Sequence, residues 1–173
     1  MKNVLLILAV LVGLIFIAGL VLYLLGRAQP ERHTARRSFT VPQSPAAVWG
    51  VLTDYAAMPQ WWPAVKAVRM EKRPNGETVA WNQDSHGREI GFRTKEEKAP
   101  VRLVREIVGD DLPWGGTWTY ELAEEKGGGT RVTLTEDGFI KPPLFRAVAR
   151  YFIGLDATMK DFESHLTARL AAK

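Results

Sequence analysis

Three short turns between residues 70 and 130 constrain the fold more than any other feature of the sequence. Asn75-Gly76 has the composition of a two-residue hairpin turn, His86-Gly87 marks a second turn, and the glycine-rich stretch 126–129 supplies a third. The segments around them alternate apolar and polar residues, as half-buried strands do. Because such turns are too short to hold a crossover helix, consecutive strands must run antiparallel.

The alternation predicts seven strands, one before a short helix and six after it. The expected strands are residues 36–41, 68–71, 78–84, 89–97, 102–108, 117–124 and 131–140. Ser44-Pro45 is a typical helix start and predicts a helix that ends near Asp54. From Leu144 to Leu170, apolar residues recur every three or four positions, which predicts one long amphipathic helix. Gly154 interrupts that pattern and marks a bend or a close packing point. Burial of the helix stripe on one sheet face gives an α+β fold, a curved seven-stranded antiparallel sheet wrapped on a long C-terminal helix.

The N-terminal segment is a different kind of sequence. Residues 4–25 are uncharged and almost wholly apolar, which is long enough to span a bilayer. We therefore predict a transmembrane anchor at 1–26, a linker at 27–35 and a soluble domain at 36–173. A cleaved signal peptide is the alternative, although its apolar region is usually only about 7–15 residues. Arginines at 27, 32, 36 and 37 follow the span, so the positive-inside rule favours a domain in the cytoplasm. Against this, a short N-terminal tail with one lysine is also how many signal-anchors begin. We expect a single-pass protein of a bacterial-type inner membrane.

The stretch MPQWWPAV, residues 58–65, places two adjacent tryptophans between two prolines. Proline forbids a long helix or a central strand there, so the segment must be a rigid, irregular loop. Such a loop either closes the protein core or closes over a bound molecule. Both interpretations stay open at this point, because large aromatic side chains are usually part of a core.

Three stretches of the chain resemble a known superfamily: PQSPAAVWGVLTDYAAMPQWWPAV, IVGDDLPWGGTWTYELAEEKGGGTRVTLTEDGFI and the helix that begins with PPLF. Together they resemble the SRPBCC or START-like helix-grip superfamily, which includes the birch-pollen-allergen-like domains. Within it they are most similar to the polyketide cyclase/dehydrase-like branch, and the likeness covers residues 36–172. The resemblance implies a cavity for apolar ligands between the sheet and the C-terminal helix. The N-terminal anchor is an addition to that pattern.

The resemblance and the strand pattern together predict which residues bind a ligand. Residues at the mouth and on the inward face form the predicted set: Tyr55, Met58, Trp61, Trp62, Trp81, Phe92, Trp118, Tyr120, Leu134, Phe152 and Met159. If the two loop tryptophans belong to the mouth, replacing both with alanine should weaken ligand uptake more than stability. If they only cap the core, stability should fall instead.

Candidates for acid or base chemistry are few. Glu136 shares the parity of Val132 and Leu134, so it is either a carboxylate at the cavity with a raised pKa or a solvated strand end. Arg105 is inward in only one of two equally apolar strand phases, and Tyr120 is a third weak candidate. The chain has no cysteine, and its three histidines do not have the spacing of metal ligands, so we expect no metal and no cofactor.

These features are compatible with three functions. The first is membrane-tethered binding or transfer of a hydrophobic small molecule or lipid, and we favour it because a cavity of this kind needs only a few polar groups. The second is a cyclase- or dehydratase-like enzyme that uses acid/base residues in the same cavity. The third is a protein-interaction module whose cavity is filled by its own side chains. The net charge of +4 is spread along the chain without a basic cluster, which argues against nucleic acid as a partner.

Overall fold

The computed structural model describes residues 2–109 and 112–172, and seven antiparallel strands form its centre. Their order across the sheet is β1-β7-β6-β5-β4-β3-β2, so β1 pairs with the last strand and the other neighbours are consecutive in sequence. The predicted helix-grip fold is confirmed. The strands are β1 (Arg32–Val41), β2 (Ala67–Lys72), β3 (Thr78–Gln83), β4 (Glu89–Lys98), β5 (Arg102–Val108), β6 (Trp114–Glu124) and β7 (Thr130–Ile140).

Five α-helices accompany the sheet in the described part of the chain. They are α1 (Lys2–Arg27), α2 (Pro45–Thr53), the single turn α3 (Met58–Trp61), α4 (Pro143–Val148) and α5 (Ala157–Ala171). The Ser44 hydroxyl oxygen accepts a hydrogen bond from the Ala47 N–H at 3.4 Å, which caps α2. Proline at the start of α3 suits a first helical turn, and the chain becomes extended at Trp62.

The C-terminal segment is not one continuous helix, which corrects the prediction for residues 144–170. After α4 comes a π-helical turn at Ala149–Ile153, and the chain breaks at Gly154, whose φ is +92°. Only glycine adopts that conformation without strain. The break divides the apolar stripe: Met159, Phe162 and Leu166 of α5 are fully buried, whereas Phe152 is 71% exposed.

The core occupies one half of the space between sheet and helix. Phe162 of α5 lies against the inner face of the sheet, and its ring is 5.7 Å from the rings of both Trp118 and Tyr120. Further along β7, Val132 and Leu134 belong to the same buried cluster. The other half of the sheet, toward Trp114 and Ile140, is left for a cavity.

The N-terminal helix joins the domain at that second half of the sheet. β1 begins at Arg32, so the predicted linker 27–35 is shorter than expected and its last residues belong to the sheet. α1 is the one helix in the described part of the chain that is long and apolar enough to cross a membrane, with a mean hydropathy of 3.3 over its best 18-residue window. Length and composition alone also fit a signal sequence.

Candidate functional site

A cavity of about 440 Å³ lies between the inner face of the sheet and the segment that joins α4 to α5. This volume is in the range of sites for small molecules, roughly 300–1,000 Å³. Residues from β3 to β7 form its floor, and Ala149, Ile153, Gly154, Leu155 and Thr158 form its roof. The floor includes Asn82, Ile90, Phe92, Arg105, Ile107, Trp114, Trp118, Tyr120, Glu136 and Phe139, and Trp62 and His33 complete the wall.

Strand register places three of these residues in one row across the floor. Arg105 of β5 is directly opposite Trp118 of β6, and Trp118 is directly opposite Glu136 of β7. Directly opposed residues point to the same face of a sheet, and adjacent strands are about 4.8 Å apart. The row therefore holds a cation and a carboxyl group on the two sides of an indole.

Arg105 is a buried cation with no carboxylate partner among the residues that the structure describes. Its side chain is 4% exposed, and neither Nε nor one terminal nitrogen, Nη2, has a hydrogen-bond acceptor among the described residues. The guanidinium lies 4.0 Å from the centre of the Tyr55 ring and 4.9 Å from that of Phe92. Burial lowers the pKa of Arg105, while the nearby tyrosines Tyr120 and Tyr55 act in the opposite direction. Aromatic faces offset part of the cost of burial, but they do not accept all of the guanidinium N–H groups.

Asn82 adds a second unsatisfied polar group to the same cavity. It is 6% exposed, and its amide oxygen Oδ1 has no partner in the described part of the chain. Its amide nitrogen lies 3.8 Å from the Met58 sulfur, a weak acceptor. Because buried polar groups are normally hydrogen-bonded, two orphaned groups in one apolar cavity indicate a place for polar atoms of another molecule.

Glu136 and His33 form a pair at the opposite side of the cavity. The His33 Nε2 and Glu136 Oε1 atoms are 3.6 Å apart, and their side chains are 14% and 21% exposed. Burial raises the pKa of the Glu136 carboxyl, and the charge of His33 and hydrogen bonds from Trp118 and His33 lower it in part. Glycine at position 138 leaves room for the His33 ring to reach Glu136, since a Cβ there would be 2.7 Å from that ring.

Sequence comparison identifies the family. A profile of the family described as "Polyketide cyclase / dehydrase and lipid transport" matches residues 32–171, which is most of the chain. The chain belongs to this family. A search of curated proteins finds no match.

Solved structures with the same fold include members of several functional classes. One is the di-domain ARO/CYC BexL from the BE-7585A biosynthetic pathway, with a TM-score of 0.67, 12% identity, and coverage of 86% of this chain and 53% of BexL. A START superfamily protein from Mycobacterium smegmatis gives a TM-score of 0.59 at 15% identity, covering 80% of this chain and 97% of that one. Norcoclaurine synthase from Thalictrum flavum gives 0.61 at 10% identity, with coverage of 80% and 94%. This chain spans about half the length of BexL. At these identities the likeness shows the fold alone.

Within this family fold, the two loop tryptophans have different surroundings. Trp61 is 8% exposed, stacks on Trp62 with ring centres 6.3 Å apart, and does not border the cavity. Trp62 is 9% exposed, borders the cavity, and donates a hydrogen bond from Nε1 to Asp161 Oδ2 at 2.7 Å. Both rings pack edge-on against Phe162. The predicted irregular loop is thus in part helical: Trp61, at the end of α3, closes the core, and Trp62, where the chain becomes extended, forms a cavity wall.

Apart from Trp81 and Phe152, the other predicted ligand-binding residues lie in three places. Phe92, Trp118 and Tyr120 line the cavity, as do the weak catalytic candidates Arg105 and Glu136. Tyr55 supports Arg105 from behind, and its hydroxyl is 3.2 Å from Thr94 Oγ1. Met58, Leu134 and Met159 lie in the buried core, outside the cavity lining.

Trp81 and Phe152 lie outside the cavity, contrary to the prediction. Trp81 pairs with Gly91, whose neighbour Phe92 faces the cavity, so Trp81 points to the opposite side of the sheet. There its Nε1 donates to Glu71 at 2.8 Å. The prediction took the wrong phase of β3, and the residue at the cavity is Asn82. Phe152 is exposed because the helix breaks at Gly154.

Tyr120 can offer a hydrogen-bond donor to the cavity but is not a base. Its side chain is 4% exposed, and burial raises the pKa of its hydroxyl, with the Arg105 charge acting in the opposite direction. The phenol therefore stays protonated at physiological pH. The available acid/base group is then Glu136, with His33 beside it, which sequence reasoning had placed in a linker.

The raised pKa of Glu136 predicts a pH-dependent cost in stability. Below the unfolded-state pKa of about 4.3, both folded and unfolded chains hold the proton and the group has no effect. Between that value and the higher folded-state pKa, only the unfolded chain ionises, so the free energy of unfolding falls as the pH rises, and the full penalty is present above the folded-state pKa. Glu136→Gln should therefore gain stability over the wild type between pH 4 and pH 7.5 in urea titrations. The exposed Glu124→Gln is the control, and equal pH profiles for wild type and Glu136→Gln would contradict the assignment.

Proposed function

We propose that this protein binds an amphipathic small molecule, with an apolar body and an anionic head group, in the cavity above the sheet. The observation that carries the proposal is the unpartnered Arg105 guanidinium in a mostly apolar cavity. A carboxylate or phosphate accepts paired hydrogen bonds from a guanidinium better than any neutral group does. The Asn82 amide is a second, neutral contact for the same head group.

Energetic reasoning supports an anionic ligand over a purely apolar one. Burying a cation without a counter-charge costs free energy, because the cavity replaces its hydration shell with few acceptors. An apolar ligand would exclude the remaining water and increase that cost. An anion would instead supply the missing acceptors, and a charged hydrogen bond contributes about 1.5–3 kcal/mol.

We also propose that α1 remains attached and anchors the protein in a membrane, with the domain on the cytoplasmic side. Its 26 residues form a helix of about 39 Å, enough to cross a hydrocarbon core of about 30 Å. The contacts of its last turn support retention. Arg146 Nε donates to the Gly26 carbonyl oxygen at 2.9 Å, so cleavage after this point would remove a partner of a buried arginine.

Retention of α1 predicts that the protein resists extraction. After expression of the full chain in bacteria, we expect it in the membrane pellet after an alkaline carbonate wash. Intact-mass measurement should give a chain that still contains α1. A soluble species that begins near residue 28 would show instead that the segment is a cleaved signal.

An enzyme is the second candidate, and the Glu136–His33 pair favours it. A half-buried carboxyl group with a raised pKa, 3.6 Å from an imidazole and open to a ligand cavity, is suited to acid/base catalysis. The enzyme hypothesis predicts a substrate whose turnover is lost in Glu136→Gln while its binding is retained.

The third hypothesis, a protein-interaction module, requires an interior filled by the protein's own side chains. The cavity of about 440 Å³ argues against it.

Photo-crosslinking tests the binding proposal in the membrane. The full chain in lipid vesicles would be exposed to palmitic acid that carries a diazirine on its chain, and labelled peptides would be mapped by mass spectrometry. We expect labels on cavity residues such as Phe92 and Trp118, reduced by unlabelled palmitate more than by 1-hexadecanol. Equal competition by the alcohol would contradict the anionic head group, and labels confined to α1 would contradict the cavity.

A further inference from the structure

An apolar patch covers the outer side of the segment between the sheet and α5. We call it the apolar shoulder, defined by Leu144, Phe145, Tyr151, Phe152 and Ile153. Their exposed fractions are 42%, 53%, 51%, 71% and 63%. Single exposed apolar residues need no explanation, but five within ten residues of sequence form a surface that water solvates poorly.

The apolar shoulder is fixed to the end of α1. A Cβ on Gly26 would overlap the Pro143 carbonyl, so the backbones of α1 and α4 are in direct contact. Arg146, which is 8% exposed, ties the two together because its guanidinium donates to the carbonyl oxygens of Gly26, Ile140 and Lys141 and to Glu31. The apolar shoulder is thereby held at the point where a membrane-spanning α1 would leave the bilayer.

The same segment forms the roof of the cavity. Ala149, Ile153, Gly154 and Leu155 line it from the inside, while Tyr151 and Phe152 face outward. The backbone here is a π-helical turn followed by a glycine with φ +92°, so regular helical hydrogen bonding is interrupted where the roof meets α5. The roof segment is therefore a wall one chain thick, with the cavity on its inner side and the apolar shoulder on its outer side.

Charges around the apolar shoulder suit an anionic membrane. Arg27, Lys141 and Arg150 lie on or next to α1 and α4, and the nearby carboxylate of Glu31 is bound to Arg146. Basic side chains beside exposed aromatic and aliphatic ones are typical of surfaces that lie at the head-group level of anionic lipid.

We propose that the apolar shoulder lies in the head-group region of the bilayer that α1 spans, and that the ligand passes between lipid and cavity through this wall. The proposal rests on the anchoring part of the proposed function. It names the source of the ligand: an amphiphile already dissolved in the membrane reaches Arg105 without crossing water. The junction of Ile153 and Gly154 is the point of entry.

Site-specific fluorescence tests the position of the apolar shoulder. Because the chain has no cysteine, Phe152→Cys and Val101→Cys each give a single site for an NBD label. Val101 is the matched control, since it is 52% exposed and lies at the opposite end of the sheet. Each full-length variant would be placed in vesicles of phosphatidylcholine and phosphatidylglycerol at a ratio of 3:1. We expect blue-shifted emission at 152, quenching by lipid-attached nitroxide and protection from iodide, with the reverse at 101.

The outcomes separate the two proposals. If the chain fails to sediment with the vesicles after a carbonate wash, α1 is not a membrane anchor, and the proposed membrane position of the apolar shoulder is also contradicted. If the chain sediments but iodide quenches the label at 152 as strongly as at 101, anchoring stands and the membrane position of the apolar shoulder is overturned.

A kinetic variant tests the route. Phe145→Glu combined with Phe152→Glu changes two residues outside the cavity lining, and Val101→Glu is the control. We expect the double variant to slow diazirine-palmitate labelling by about tenfold or more, as a barrier increase of roughly 1.4 kcal/mol would do, with an unchanged final yield. Val101→Glu should leave both unchanged. An unchanged labelling rate in the double variant would exclude entry through this wall.

Discussion

Replacing Arg105 with methionine should weaken ligand binding and strengthen the fold at the same time. Loss of a charged hydrogen bond, about 1.5–3 kcal/mol, should raise the half-saturating concentration of diazirine-palmitate roughly 10- to 150-fold. Removal of an unpartnered buried cation in favour of an apolar side chain of similar length should raise the free energy of unfolding by on the order of 1–3 kcal/mol. A substitution that weakens ligand binding but raises the free energy of unfolding is typical of a residue retained for function.

The matched control is Arg102→Met on the same strand. Arg102 is 35% exposed and pairs with Glu96 and Glu121 at the surface, at 3.2 and 2.8 Å. Its replacement should leave labelling unchanged and shift stability by less than about 1 kcal/mol. The binding assay is dose-dependent labelling in vesicles, and stability is followed by tryptophan fluorescence on heating in detergent. A loss of stability in Arg105→Met without a loss of binding would show that the guanidinium has a structural role only.

Alanine at Trp61 and alanine at Trp62 should have different effects on uptake. Both rings are more than nine-tenths buried against Phe162, so each truncation should cost about 3–5 kcal/mol of stability. Trp61 has no contact with the cavity, so uptake per folded molecule should be unchanged. Trp62 forms the wall, so its removal should lower uptake as well. The sequence-based alternatives treated the two tryptophans as one unit, either at the mouth or in the core, whereas this prediction separates them.

The measurement combines thermal unfolding with photo-labelling, at a temperature where each variant remains folded. Trp61→Phe and Trp62→Phe are milder versions that keep an aromatic ring if alanine prevents folding. Tyr151→Ala is a control for stability alone, because that aromatic side chain is 51% exposed but belongs to the apolar shoulder. A fall in uptake for Trp61→Ala equal to that for Trp62→Ala would show that the two tryptophans act together at the mouth.

Local signals in the sequence were sufficient for the architecture. The Asn75-Gly76 and His86-Gly87 turns leave no room for crossover helices, which makes the order of β2 to β7 nearly unavoidable. The serine cap of α2 and the apolar period of α5 each depend on residues a few positions apart, and both are seen in the structure. Structural features that depend only on residues close together in the chain can be predicted from a single sequence.

The sequence-based predictions were wrong where the orientation of a side chain depends on strand register or on contacts between distant parts of the chain. On β3, Trp81 and Asn82 are neighbours, and their orientation depends on register with β4 rather than on hydrophobicity. His33 approaches Glu136 only because β1 pairs with β7, about a hundred residues later in the chain. The apolar period continues through Gly154 in the sequence, but a positive φ at that glycine ends the helix, so Phe152 before it does not share the buried face of α5.

Family membership narrows the function without deciding it. The family description includes cyclases, dehydrases and lipid transport, and the similar structures include a START protein and norcoclaurine synthase. A shared fold does not determine which of these activities a chain has. The choice depends on the side chains in the cavity, where this chain places Arg105 and the Glu136–His33 pair.

Native mass spectrometry of the full chain, released from nanodiscs that contain bacterial lipid extract, tests the central claim most directly. We predict one bound acidic amphiphile per chain, lost on denaturation and absent or strongly reduced in Arg105→Met. Arg102→Met should retain the bound mass. A chain that carries no ligand from the extract, or a neutral lipid bound equally by wild type and Arg105→Met, would contradict the proposal that Arg105 selects an anionic head group.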